Sequence, residues 1–132
     1  MANYCFDTDV LVDFMDGEPE TVRKIRDLLS NVTLSTTTLT LCELYRGVYL
    51  NKDYENESKK VDIIKNNFII FTLDENSSKT FGIKNKELLT VGKLTQEIDL
   101  IIASICICNN LILITRNKKH FKNISELNVE FW

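Results

Sequence analysis

Proline occurs once and glycine four times in 132 residues. That scarcity leaves no Pro/Gly-rich stretch to serve as a linker, and with 44% apolar residues the chain has material for one sizeable core. A single domain spanning residues 1–132 is expected. No uninterrupted apolar run reaches the roughly 18 residues that a membrane span needs. The strongly basic balance of a general nucleic-acid binder is also absent, since the net charge is −3. Four cysteines (Cys5, Cys42, Cys106 and Cys108) show no C-x-x-C spacing, which argues against a zinc site or redox pair and for small core residues. The start, Met1-Ala2-Asn3-Tyr4, lacks a basic segment followed by an apolar one, so no secretion signal is expected. A soluble protein of the reducing cytoplasm follows as the expectation. There is no internal repeat and no low-complexity tract, although Lys and Asn are abundant.

Against this plain background stand three acids in costly places. Asp7 closes Tyr4-Cys5-Phe6-Asp7, Glu43 lies within Leu39-Thr40-Leu41-Cys42-Glu43-Leu44, and Asp99 within Ile98-Asp99-Leu100-Ile101-Ile102-Ala103. An unpaired charge in an apolar interior costs several kcal/mol unless a cation meets it. No Lys or Arg is interspersed to do so. A divalent cation is the economical partner. One such ion would bring the net charge from −3 to −1, and two would bring it to +1.

The hydrophobic pattern alternates strands with helices. Strands are expected at 3–7, 32–36, 68–71 and 111–114, with an edge strand near Val129-Glu130-Phe131. Helices are expected at 8–15, 19–29, from a cap among Thr36, Thr37 and Thr38 to about Leu50, at 53–66, at 75–91 with Gly92 as stop, and at 96–108. Such alternation implies a central, mostly parallel sheet of four to five strands with helices on both faces, a three-layer α/β/α fold. Ligands of such sheets collect beyond the carboxyl ends of the strands, where strand order switches. Asp7 should point there, and Glu43 and Asp99 can reach the same edge from their helices. Thr115 and Asn117, which follow the strand at 111–114, reach the same rim.

These residues carry a resemblance. Asp7-Thr8-Asp9-Val10-Leu11-Val12-Asp13, then Glu43-Leu44-Tyr45-Arg46-Gly47, then Asp99-Leu100-Ile101-Ile102-Ala103-Ser104, then Thr115-Arg116-Asn117-Lys118-Lys119-His120-Phe121 together resemble the PIN domain. Within it the chain looks most like the VapC-type ribonuclease toxins of toxin–antitoxin pairs. Each motif alone is weak; four in order from about residue 3 to Trp132 are specific.

The resemblance implies that Asp7, Glu43 and Asp99 are metal-binding carboxylates, and that Asn117 takes a fourth polar position where many relatives carry Asp. Thr115 is then the threonine that shapes the site, Asp9 replaces a common Asn, and Glu97 matches a second acidic position of some relatives. Hard carboxylate oxygens suit Mg²⁺ or Mn²⁺. Because Asn117 carries no full charge, one ion is expected rather than two. The implied activity is metal-dependent endoribonuclease cleavage of RNA, neutralised by a cognate VapB-type antitoxin, with a homodimer as the assembly. Arg116, Lys118, Lys119 and Lys122 are placed to hold phosphates, or else form a solvated loop. Arg46 pairs with Glu43 in the first instance, with substrate or an antitoxin segment as its other partners. His120 is expected to be structural or surface-exposed, and Asp13 to lie on the exposed face of a short helix. Two alternatives remain: a non-catalytic PIN-like scaffold, which would have lost the acids, and a Mg²⁺-binding receiver-type phosphoacceptor, which needs adjacent acids where Thr8 separates Asp7 from Asp9.

Overall fold

The structure, a computed structural model, describes residues 2–132. The chain runs β1 (Ala2–Phe6), α1 (Thr8–Met15), α2 (Pro19–Leu28), β2 (Val32–Thr37), α3 (Thr38–Leu50), α4 (Tyr54–Asn67) and β3 (Ile69–Phe71). It continues through α5 (Glu75–Thr90), α6 (Glu97–Cys108), β4 (Ile112–Thr115), α7 (Lys118–Phe121) and β5 (Val129–Phe131). Every pairing in the five-stranded sheet is parallel, in the order β3-β2-β1-β4-β5. β1 is therefore central, and the order reverses between β1 and β4, opening a crevice at their carboxyl ends.

Strand periodicity separates the two faces. Phe6 and Ile114 join a core with Val10, Leu11, Ile25, Leu44, Val48, Val61 and Ile64, which come from α1 to α4. Their chain neighbours Cys5 and Leu113 point the other way, into a core with Leu88, Leu100, Ile102, Ala103, Cys106 and Phe121 from α5 to α7. The expected three layers are thus present. Element ends follow local chemistry: Thr37 caps α3 by accepting from the Thr40 amide, and Asp74 with Ser77 forms a capping box on α5. Gly92, at φ 67°, follows α5 where the left-handed backbone favours glycine.

Three expectations change. The stretch after β4, for which a solvated loop is one of two readings, forms a helical turn at Lys118–Phe121 anchored by buried Phe121. Cys42 and Cys108 are exposed, so only Cys5 and Cys106 are core residues; a mainly apolar helix still has a solvent side that local composition does not reveal. Asp7 lies one residue beyond β1, where it caps α1.

Phe6 is fully buried beneath the crevice, with Phe68 and Trp132 each 5.8 Å from its ring centroid in edge-on contact. Phe6→Ala removes those ring contacts and leaves a cavity, so a loss of about 3 to 5 kcal/mol is expected. By thermal unfolding followed by circular dichroism, the midpoint should drop by roughly 10 to 20 °C. A drop of under about 3 °C would show that the surrounding helices collapse to refill the space.

Candidate active site

Asp7 sits at the crevice, 2% exposed, with its backbone N–H bonded to the Ile114 carbonyl at 2.9 Å. Its two oxygens have different partners. Oδ1 accepts from the Thr8 amide at 2.8 Å, and Oδ2 accepts from the Thr115 hydroxyl at 2.7 Å. Thr115 Oγ1 in turn accepts from the Asn117 amide at 3.1 Å, which ties the end of β4 to the end of β1. Burial pushes the Asp7 carboxyl up to about 6; the bonds from Thr115 and Thr8 oppose that rise, while the charges of Asp9 and Asp99 add to it.

The other acids arrive from separate elements. Glu43, half-buried on α3, accepts from the Thr8 hydroxyl at 2.7 Å. Asp9 accepts from the Val10 amide at 2.8 Å and from the Arg116 amide at 3.3 Å. Asp99 lies in the first turn of α6 and is 8% exposed. Its carboxyl is also raised, first by burial; His120 pulls it down, and the charges of Glu43 and Asp9 push it up. Asp7, Asp9, Glu43 and Asp99 are therefore close enough to repel one another. Asp9, to which the resemblance gives no fixed role, bears on both Asp7 and Asp99.

His120 is the residue that sequence reasoning undervalued. Its Nδ1 stands 2.8 Å from Asp99 Oδ2, and both atoms are sealed from solvent.

Other candidates sort differently. Asn117 is exposed at the start of α7 with its side chain making no capping bond. Glu97 is exposed at the first position of α6, two residues from Asp99 and off its face. Arg116 is not a free phosphate ligand: its guanidinium pairs with Asp13 and donates to Thr21 Oγ1 at 3.0 Å, binding the end of β4 to α1 and α2. Asp13 accordingly has a partner, whereas sequence gave it only a solvated helix face. Lys118 and Lys119 are exposed on α7, with the Lys118 ammonium 5.9 Å from the Phe131 ring centroid. Arg46 is exposed and forms no ion pair among the described residues; the hydroxyl of Thr8 meets Glu43 instead.

The PIN domain profile matches residues 4–127, nearly the whole chain. The chain belongs to the PIN domain family. Ribonuclease VapC2 of Rickettsia felis is 32% identical over 130 residues, covering 98% of this chain and 97% of that protein. Ribonuclease VapC1 of Haemophilus influenzae strain R2866 is 25% identical over 130 residues, with the same coverage. Among solved structures, VapBC2 from Rickettsia felis bound to a promoter DNA fragment matches with a TM-score of 0.91 at 30% identity over 98% of each chain. VapBC-1 from nontypeable Haemophilus influenzae matches with a TM-score of 0.87 at 25% identity, again over 98% of each.

In this PIN domain the chemistry of the donors fits a hard divalent cation: they are carboxylates whose charges bear on one another, and among the described residues no Lys or Arg side chain pairs with Asp7, Glu43 or Asp99. As placed, each carboxylate is held by its own partner. No three His, Cys, Asp or Glu groups among the described residues stand close enough to chelate one ion. No helix among the described residues is long and apolar enough to cross a membrane.

Proposed function

We propose that this PIN domain is a metal-dependent endoribonuclease toxin of the cytoplasm, held in check by a VapB-type antitoxin. One observation carries the reading: Asp7 is buried at the switch point of the sheet without a cationic partner, under the charges of Asp9 and Asp99, and Asp99 in turn is under those of Glu43 and Asp9. Two named ribonucleases that match along almost the full chain support the reaction class.

When bound, Mg²⁺ or Mn²⁺ would polarise a phosphate oxygen and ease ionisation of a water in its shell. Asp7, Asp99 and Glu43 are the residues to hold it, with one ion favoured over two because Asn117 brings no charge. Thr115 orients Asp7 by occupying Oδ2, and Thr8 does the same for Glu43. The exposed Asn117 amide can donate to a phosphate oxygen, while Lys118 and Lys119 offset the repulsion between an acidic crevice and the RNA backbone. Arg116 serves indirectly, keeping the end of β4 against α1.

The antitoxin is supported by VapBC complexes among the matching structures. A groove lined by Val12, Met15, Asp16, Glu43, Gly47 and Glu57 begins at the acidic site and is a place for its segment. Homodimerisation is supported by exposed apolar residues on and after α5: Ile83, Leu89, Val91 and Leu94. The test is incubation with structured RNA and Mg²⁺, with and without EDTA. Discrete fragments that vanish with EDTA are expected; cleavage that persists in the chelator refutes metal dependence, and intact RNA refutes the nuclease. Sequencing the RNA ends after brief induction in cells would identify the target.

A further inference from the structure

Asp99 has two unlike oxygens. Oδ2 is closed off by the His120 ring, whose Nδ1 lies 2.8 Å away, and neither atom reaches solvent. Oδ1 is the one left open. The backbone that carries the ring is held from three sides: Thr95 Oγ1 donates to the His120 carbonyl at 2.8 Å, the His120 amide donates to the Asn117 carbonyl at 3.0 Å, and the next residue, Phe121, is 1% exposed in the second core. So anchored, the backbone of His120 cannot move away from Asp99 without dismantling the turn of α7. Nor can its Nδ1 bind an ion arriving from solvent, because that atom is covered.

We infer that His120 is a positioning residue for the metal site: it fixes the Asp99 carboxylate through Oδ2 and leaves Oδ1 as the oxygen presented to a divalent cation. The inference rests on the metal-dependent reading proposed above. Groups that orient a metal-binding carboxylate from behind typically contribute about 10- to 100-fold to ion affinity, because an unfixed carboxylate must be ordered on binding.

The experiment measures Mn²⁺ binding to the full chain by electron paramagnetic resonance, with thermal melts as a check on folding. His120→Ala should raise the Mn²⁺ dissociation constant about tenfold. His120→Asn, whose amide can donate to the same oxygen, should recover most of the affinity. On an Asp99→Asn background, His120→Ala should add nothing, since the carboxylate it orients is gone. If His120→Ala does not fold, Thr95→Val carries the test: it frees the His120 backbone without touching the ring and should weaken binding in the same direction. His120 is the chain's single histidine, so its imidazole ¹⁵N signals are unambiguous, and Mg²⁺ should shift them in the wild type but not in Asp99→Asn. Wild-type affinity in folded His120→Ala overturns the inference and leaves the proposed function standing. A slower reaction with unchanged Mn²⁺ affinity also overturns it, assigning the outer ring nitrogen to the chemistry instead. A wild type that binds no Mn²⁺ overturns both.

Discussion

Asp7→Asn is expected to reduce RNA cleavage roughly a thousandfold, because losing a charged ligand removes several kcal/mol of transition-state stabilisation. The same substitution should make the metal-free protein more stable. Asp7 is 2% exposed and is crowded by the charges of Asp9 and Asp99. An amide still accepts from the Thr8 amide, and the Thr115 hydroxyl can turn to accept from its NH₂ group. The combination is diagnostic. A damaging core substitution lowers activity and melting temperature together, whereas removal of a buried charge lowers one and raises the other. RNA cleavage assays and thermal melts on the same preparations check it. Wild-type cleavage by Asp7→Asn would remove Asp7 from the mechanism, and a lowered melting temperature would show that its hydrogen bonds outweigh its burial.

The second large effect is in the pH dependence. The Asp7 carboxyl titrates near 6 in the folded state against 3.8 when unperturbed. Between those values the folded state binds the extra proton, so stability falls as pH rises through that window. The loss is complete above the folded value, and the shift corresponds to about 3 kcal/mol. Asp99 is displaced in the same direction, chiefly by burial. Other carboxylates, such as Glu18, held down by the Thr21 side chain and the amides of Thr21 and Glu20, and Asp74, held down by the Ser77 amide and side chain, act in the opposite sense, so total stability mixes both. The comparison with Asp7→Asn isolates the site: the mutant's advantage should be small near pH 4 and grow by roughly 10 °C in melting midpoint by pH 7. Millimolar Mg²⁺ at pH 7 should cancel much of that advantage by stabilising the wild type alone. An advantage that stays constant with pH would mean that Asp7 is ionised at ordinary carboxylate values and that its burial is compensated elsewhere.

Much of the fold was legible because it is written in local patterns. Alternating apolar runs and a cap such as Thr37 state where strands and helices begin, since those signals depend on residues within a few positions. Asp7, Glu43 and Asp99 were legible for a related reason: an acid among apolar neighbours is anomalous without knowing what it faces.

Partnership was not legible. Arg116 reads as a free cation beside a site, but Asp13 and Thr21 claim it from over 90 positions away in the chain. Arg46 stands one helical turn from Glu43, the spacing of an ion pair, yet Glu43 is met by Thr8, 35 positions distant. Cys42 and Cys108 have apolar neighbours and still face solvent.

By itself the chain determined a βα-alternating domain with acids that demand a cation, because periodicity and the cost of burying charge are properties of short segments. Tertiary structure alone decided that β1 lies between β2 and β4, that Thr115 grips Asp7 across 108 positions, and that His120 closes one side of Asp99. Those contacts depend on strand order and helix placement, which are set by how whole faces bury against each other and which no local pattern encodes.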